Sequence, residues 1–566
     1  MRKRLPCLSA VFLLFPCAFL LFATGCKKHS AAGGNGPGGS GPGSGIGWSP
    51  TPEKSIDTTV KFPRIATIYS KNTENQDSGK KAISRYGLYV SDMTWWGLGC
   101  GGNANCQGHS DMTTGQYLKF LNPGQKDLMY VHSVFYDGWG APSDGRGYII
   151  GTTPYYFDLR WLLTYAGSTL SAAVDGGAGD ITVNDCSRFS VGDYVLLGGV
   201  GSQSVELVLL TAKSATSGAG VLTVTRAQLS QNGKFPAVGH NAGDYVRSVT
   251  YAWSQGFMAF NMSAGCPGSN INPDLGSNLT YNQFMGAYWA AKLSRDPLYA
   301  NLDGIFLDNY VDVPSQLVTN ASKIDYLNQN AATPSPDNAD DWKAGMADLA
   351  RQMRNSLPGK LIVANTGGSA GNSGAFLNGG MIEGLDQHGK NSFVGDANGD
   401  PSAFYDSWIS GGAAPQTFIY NGSDAVTTGL NAAQTDYRAM RFLLTRAMMN
   451  NGYFVYDEFL VRNGSAGLNG GGHQTTWWYD EYDNAGQGAG YLGYALTEAG
   501  QPVTGVYQRD FEKGVVLSNT TAVAQTISLG KTYRKINGSQ DRVVNDGSKV
   551  TAVTLQPMDG IVLLSD

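Results

Sequence analysis

The stretch "LDGIFLDNYVD", residues 302–312, holds seven apolar or glycine residues and three aspartates. A run of apolar β-formers that ends in acidic residues predicts a buried strand, which delivers polar groups to its C-terminal end. Asp308 and Asn309 stand at that end, whereas Asp303 stands at the start. The stretch therefore predicts a parallel strand with two candidate functional residues at one end and a structural aspartate at the other.

Seven further β-rich segments lie along the chain, and most of them are separated by helical patterns. They are "RIATIYS" (64–70), "RYGLYVS" (85–91), "DLMYVHSVFYDG" (127–138), "KLIVANTGG" (360–368), "GGMIEGLDQHG" (379–389), "PQTFIYNGSD" (415–424) and "GYFVYDEF" (452–459). Eight alternating units favour a closed (β/α)8 barrel, the TIM barrel, over an open parallel sheet. The predicted fold class is therefore α/β.

Two regions depart from this alternation. Residues 168–248 contain closely spaced strand patterns, with "VGDYV" (191–195) echoed by "AGDYV" (242–246), and they predict a small all-β domain inserted at a barrel face. This domain either contributes to the site, by binding polymer or shielding it, or is only decoration. Residues 501–566 predict a C-terminal antiparallel β-sandwich, which leaves residues 62–167 and 249–500 for the barrel.

The N-terminus predicts export. Residues 1–25 combine a basic start, an apolar stretch and small residues before Cys26. This pattern resembles the bacterial lipoprotein signal, which implies a lipidated Cys26 and a membrane anchor at the outer membrane or cell surface, or on the periplasmic face. An ordinary secretory signal, cut elsewhere, is the alternative. Residues 26–61 form a Gly/Ser/Pro-rich linker.

Composition restricts the partners. The net charge is −5, and no basic tract follows the signal, so nucleic acid is not an expected partner. The 29 Tyr, 22 Phe and 11 Trp suit a carbohydrate ligand, although aromatic residues also fill cores. We expect a monomer that needs no cofactor.

The cysteines and histidines favour no metal site. Cys100 and Cys106 flank a five-residue loop that a disulfide could close in an oxidising compartment. Zinc binding is the alternative, but neither a CxxC pair nor an HExxH motif is present. Cys186 and Cys266 are expected to be single buried thiols, or a pair if the fold brings them together.

Active sites of (β/α)8 barrels lie at the C-terminal ends of the strands, so the polar residues closing each strand form one constellation. The candidates are His132, Tyr136, Asp137 and Trp139, Asp308 and Asn309, Asn365, Glu383 and Asp386, Tyr420 and Asn421, and Asp457 and Glu458. Two carboxylates facing each other across a barrel mouth suit glycoside hydrolysis, in which one protonates the leaving oxygen and the other attacks the anomeric carbon or activates water.

The motifs "FPRIATIYSK", "LNPGQKDLMYV", "LDGIFLDN", "GGMIEGLD" and "WWYDEYDNAG" resemble hypothetical glycosyl hydrolase family 15, a group of bacterial barrel glycosidases distinct from the glucoamylases. The resemblance covers residues from about 62 to 566. It implies hydrolysis of O-glycosidic bonds in an extracellular or periplasmic polysaccharide or oligosaccharide. Similarity to the wider group of barrel glycosidases, α-galactosidases among them, makes Asp308 the nucleophile or base and Glu383 the acid. Asp457 and Glu458 compete for the acid role, and the other candidates would bind substrate.

A non-catalytic, surface glycan-binding lipoprotein is the alternative function, because barrels can keep their shape without catalysis. The separation of Asp308 and Glu383 would discriminate. A gap of about 5 Å indicates a retaining mechanism, and one of about 6.5 to 9.5 Å an inverting one. A larger gap favours another pair, or binding alone. An esterase is disfavoured, since neither a GxSxG elbow nor a zinc triad is evident.

Overall fold

The structure is a computed structural model. It describes residues 59–68, 76–91, 99–100, 105–137, 148–199, 204–231, 233–251, 257–311, 314, 318, 320–326, 339–366, 373–382, 408, 410–423, 432–457 and 478–566, with backbone alone at 137, 339, 382, 423, 432–436 and 457.

Eight parallel strands form the predicted barrel. In chain order, which is also their order in the sheet, they are Ala66–Ile68, Leu88–Ser91, Lys126–His132, Gly304–Tyr310, Leu361–Thr366, Gly379–Ile382, Ile419–Ser423 and Tyr453–Asp457. The eighth strand returns to the first through a parallel bridge between Phe454 and Ile65, beside a 2.8 Å hydrogen bond from the Phe454 amide to the Arg64 carbonyl. The predicted fold class is confirmed.

Helices cover the outside of this barrel. The described α-helices are Asp77–Ile83, Thr114–Leu121, Tyr281–Arg295, Ala339–Ser356, Ala432–Met448 and Asp480–Asp483. Capping boxes start two of them, Thr113 with Gln116 and Thr280 with Gln283, which satisfies amide groups that lack intrahelical partners. No helix in these described ranges is long and apolar enough to cross a membrane.

The barrel interior is filled by alternate residues of the strands. Phe306 of the fourth strand is buried in a cluster with Leu128 and Val363 of its two neighbours. Ile305 and Leu307 belong instead to the larger cluster between barrel and helices. Because strand side chains alternate between faces, the next inward position after Phe306 belongs to residue 308.

The inserted all-β domain is one six-stranded antiparallel sheet. In sheet order its strands are Ser168–Thr169, Tyr245–Ser248, Tyr194–Leu197, Glu206–Lys213, Gly220–Gln228 and Asp180–Val183. The Ala166 amide donates to the Lys323 carbonyl at 2.9 Å, and Tyr165 bridges Ile324. Since this segment follows the C-terminal end of the fourth strand, the domain stands on the barrel face that carries the candidate site.

The C-terminal domain is antiparallel, as predicted. Its six strands, in sheet order, are Gly500–Val503, Val506–Phe511, Gly514–Asn519, Asp559–Ser565, Gln525–Lys535 and Lys549–Leu555. Strand Gln525–Lys535 pairs with Lys549–Leu555 on one side and with Asp559–Ser565 on the other. Its register with Lys549–Leu555 shifts between Ser528 and Tyr533. Leu517 and Leu563 are buried in the domain's own core. Val516 and Val562 belong to the large cluster that contains apolar residues of helix Ala432–Met448.

The acidic cluster near the start of this domain joins it to the barrel. Asp480 accepts a 2.9 Å hydrogen bond from the Gln540 amide, and Glu481 accepts a 2.8 Å bond from the Asn545 side chain. Both carboxylates are buried, and burial raises the pKa of Glu481. This junction is a buried, hydrogen-bonded turn of helix.

The cysteines fall into two groups. Cys100 and Cys106 form a disulfide, with Cα atoms 5.6 Å apart. Cys186 and Cys266 are single buried thiols, which resolves the alternative left open by the sequence.

Candidate active site

The fourth barrel strand ends in a bulge. Between Leu307 and Tyr310 its ladder with the fifth strand shifts by one residue, while Asp308 stays in register with His132 of the third strand. Asn309 takes up the extra length with a φ of 58°, a left-handed conformation that asparagine tolerates better than most residues. Bulges at barrel rims re-aim side chains. This one sets the direction of two candidate residues at once.

Three side chains donate hydrogen bonds to the Asp308 carboxylate. Asn365 Nδ2 donates to Oδ1 at 2.8 Å, and Asn309 Nδ2 donates to Oδ2 at 2.6 Å. The Tyr130 hydroxyl also donates to Oδ2. The carboxylate is therefore fixed in direction, while its side chain keeps 12% exposure to solvent.

The third strand supports this arrangement from one side. His132 places Nδ1 3.8 Å from Asp308 Oδ2 and turns its ring edge to Tyr130, with centroids 5.2 Å apart. Ser133 Oγ donates to the Asp308 carbonyl at 2.6 Å, which ties the bulged backbone to its neighbour. Within the described ranges, no lysine or arginine pairs with Asp308.

This arrangement presents a carboxylate with fixed geometry and, among the described residues, no neutralising cation beside it. Such a group can act as a nucleophile or as a general base. No cluster of three or more His, Cys, Asp or Glu residues suited to a metal ion occurs in the part of the chain that the structure describes. The groups described at the site are a carboxylate, two amides, a phenol and an imidazole.

The structure brings four predicted residues together, Asp308, Asn309, Asn365 and His132. Tyr136 and Tyr420 lie instead in the large apolar cluster, 6% and 2% exposed. Asn421 follows Ile419 by two positions on the seventh strand and is fully buried.

The remaining predictions lie outside the described structure. Glu383, Asp386, Glu458 and Trp139 are outside the described residues, as is Cys26. Asp137 and Asp457 are described by backbone alone, each as the last residue of a strand.

Sequence reasoning missed Tyr130 and Ser133. Tyr130 stands two positions before His132, so strand alternation places both on the inward face of the third strand. This parity was the available signal. Ser133 acts through the backbone of another strand, and nothing in its local sequence marks such a contact.

Several solved structures match this chain with low sequence identity and low TM-scores. An Anoxybacillus alpha-amylase matches with 13% identity and a TM-score of 0.31, over 56% of this chain and 66% of that one, just under two thirds. A Nostoc punctiforme debranching enzyme matches with 11% identity and a TM-score of 0.36, over 87% and 88%. A maltogenic amylase from S. marinus matches with 10% identity and a TM-score of 0.37, over 91% and 64%. TM-scores this low carry no conclusion about function.

No curated protein matches the sequence of this chain. A family model described as hypothetical glycosyl hydrolase family 15 matches residues 276–515. That segment contains Asp308, Asn309 and Asn365, and it runs from before the fourth barrel strand into the C-terminal sheet. The match supports the family resemblance seen in the sequence, and it confirms the predicted enzyme class, a glycoside hydrolase.

Proposed function

We propose that this protein hydrolyses O-glycosidic bonds of an extracellular or periplasmic polysaccharide or oligosaccharide, with Asp308 as the nucleophile or base and Glu383 as the acid. The observation that carries the proposal is the Asp308 carboxylate, which stands at the end of the fourth barrel strand under three hydrogen-bond donors and has no described cation beside it. The C-terminal end of a barrel strand is where this fold places catalytic groups.

The two carboxyl groups would divide the reaction between them. Glu383 would give its proton to the leaving oxygen as the glycosidic bond breaks, and Asp308 would bond to the anomeric carbon or take a proton from the attacking water. Glu383 follows the sixth barrel strand directly in sequence, as Asp308 ends the fourth. Asp457 and Glu458 are the alternative acids.

Fixed geometry is the contribution of the residues around Asp308. Two amides and a phenol hold the carboxylate before substrate arrives, so little ordering is left for the reaction itself. His132 has a partly exposed side chain next to this carboxylate and is proposed to contact the sugar, together with Trp139 as a stacking platform.

The first experiment is hydrolysis of a broad glycan panel by the full-length chain, run beside Asp308→Asn and Glu383→Gln. Asp303→Asn is the matched control, because it makes the same change at the opposite end of the same strand. Loss of cleavage in the first two variants, with cleavage retained in the control, supports the assigned pair. Glycan binding without any cleavage by the unsubstituted chain would favour the capture function instead.

A second experiment separates the nucleophile from the base. Proton NMR of cleavage by the unsubstituted chain gives the anomeric configuration of the sugar that is first released. Retention of the substrate's configuration would indicate that Asp308 bonds covalently to the anomeric carbon, and inversion would indicate that it activates water as a base.

Export and anchoring are proposed from the N-terminal pattern alone. Lipidation of Cys26 would hold the barrel beside a membrane on the residue 26–61 linker, whose Gly/Ser/Pro composition favours a flexible tether. Cys26→Ser should move the protein from the membrane fraction to the soluble fraction of the producing cell. Retention in the membrane would contradict the anchor.

A further inference from the structure

We infer that Tyr130 is a positioning residue for Asp308, and that with Asn309 it anchors one carboxylate oxygen and leaves the other to act. The inference rests on the proposed function of Asp308. The two carboxylate oxygens accept different numbers of described hydrogen bonds. Oδ2 accepts hydrogen bonds from both Tyr130 and Asn309, whereas Oδ1 accepts one, from Asn365.

The number of hydrogen bonds that each oxygen accepts distinguishes the roles of the two oxygens. A carboxylate oxygen offers about two lone-pair positions. Oδ2 has a described donor for both, so it is the anchored oxygen. Oδ1 has one described donor, and its second position is left for an anomeric carbon or for the proton of a water molecule. Oδ1 is therefore the working oxygen in either mechanism.

Tyr130 is itself held in place. Its ring stacks on Phe306, with centroids 6.0 Å apart and planes at 24°, and it meets the His132 ring edge-on. Phe306 is fully buried inside the barrel. Because the ring is fixed by packing, the hydroxyl reaches Asp308 without ordering a flexible chain, which is what a supporting residue requires.

The bond from the phenol is a strong one, because hydrogen bonds to charged groups are stronger than bonds between neutral groups. Without the hydroxyl, Asn309 would be the one described donor left to hold Oδ2.

The test is Tyr130→Phe, compared with Tyr89→Phe. Tyr89 is fully buried on the second strand, and its hydroxyl has no hydrogen-bond partner among the described residues. Tyr130→Phe should lower kcat about tenfold and leave KM within about twofold, because it weakens the hold on the reacting carboxylate and leaves substrate binding intact. Tyr89→Phe should leave both unchanged.

An unchanged kcat in Tyr130→Phe, with cleavage intact in the unsubstituted chain, would overturn the inference and leave the proposed function standing. If the unsubstituted chain cleaves no glycan, the proposed function fails, and carbon-13 NMR of aspartate-labelled protein decides the inference alone. Using Asp308→Asn to assign the signal, a change in the carboxyl chemical shift of Asp308 in Tyr130→Phe supports it. An unchanged chemical shift overturns it.

Discussion

The fourth barrel strand carries an aspartate at each end, and the two differ in their partners. Asp303, at the start, lies 2.6 Å from Lys119 Nζ and 3.5 Å from Lys126 Nζ, and it accepts a 2.9 Å hydrogen bond from the Asp127 amide. Asp308, at the other end, accepts from two amides and a phenol. One carboxylate is balanced by cations, and the other is oriented by neutral donors.

Asp303 directly precedes this seven-residue strand and Asp308 lies within it, so the difference separates stability from chemistry along one strand. Lys119 sits between Asp303 and Asp127, and although burial opposes it, these two carboxylates raise the pKa of the lysine. An ion pair of this kind joins the strand to its neighbours and neutralises the charge of Asp303. Neutral donors fix the direction of Asp308 and leave its charge available to a substrate, as the proposed function requires.

The largest expected effect comes from replacing Asp308, the aspartate that we assign to catalysis. Asp308→Asn keeps the size of the side chain but removes the nucleophile or base, so kcat/KM should fall by roughly 10³-fold or more. The melting temperature should fall only modestly, because the amide oxygen can still accept the two bonds made to Oδ2, whereas the amide nitrogen cannot accept from Asn365. Steady-state kinetics on the cleaved glycan, beside thermal unfolding, measures both. A variant that unfolds in parallel with its loss of rate would mean that Asp308 is structural.

The matched change at the other end should act on stability. Asp303→Ala removes the partner of Lys119 and the acceptor of the Asp127 amide, so the free energy of unfolding should fall by about 1–3 kcal/mol. The rate per folded molecule should be preserved. Urea unfolding and active-site-normalised kinetics make the comparison. Full stability with a lost rate would reverse the roles assigned to the two aspartates.

A pair of substitutions at Asn309 sharpens the catalytic side. Asn309→Gly removes the amide and keeps the left-handed backbone accessible, whereas Asn309→Ala removes the amide and adds strain. Both should lower kcat about tenfold through the lost hydrogen bond to a carboxylate. Only the alanine variant should also lose about 1 kcal/mol of stability. Equal unfolding free energies for the two variants would argue against backbone strain at the bulge.

The smallest effect concerns a third carboxylate, Glu206 of the inserted domain, which is cation-paired like Asp303. Burial opposes it, yet interactions with His240 and Arg226 lower the pKa of Glu206 to about 2 from the ordinary 4.5. A lowered folded-state pKa gives stability that is complete above about pH 4.5 and is lost as the pH falls toward 2. The hydrogen-exchange protection factors of the inserted sheet, which are corrected for the intrinsic exchange rate at each pH, should therefore fall across that range. Glu206→Gln should flatten the dependence, and an unchanged slope would contradict it.

Most of the fold could be predicted because its patterns are local. Apolar strands and amphipathic helices alternate at the periods of a (β/α)8 barrel, and the helix patterns end near proline and glycine. The helix Asp77–Ile83 was not predicted, because its seven residues are rich in charge and carry no apolar stripe. The burial of Asp480 and Glu481 was not predicted either, since their hydrogen-bond partners come from a loop about sixty residues further along the chain.

The site was predictable where function follows strand ends. Asp308, Asn309 and Asn365 close their strands and meet, as expected. Tyr420 was expected to close its strand, but it is the second residue of Ile419–Ser423. It stands next to inward-facing Ile419 and therefore faces the helices. Tyr130 was missed because it lies inside its strand, two positions before His132. Counting parity from the barrel interior, in addition to position along the strand, would have corrected both.

The docking of the C-terminal sheet onto the barrel has a consequence for how this protein can be cut and recombined. Val516 and Val562 share one apolar cluster with helix Ala432–Met448, and Gly560 approaches Thr445 so closely that a Cβ there would lie 2.0 Å from its hydroxyl oxygen. Truncation near residue 500 would strip this cover from the helix and expose apolar surface that favours aggregation. The C-terminal sheet is therefore a fixed part of the barrel's outer wall, and it should not behave as a cassette that can be grafted onto another enzyme.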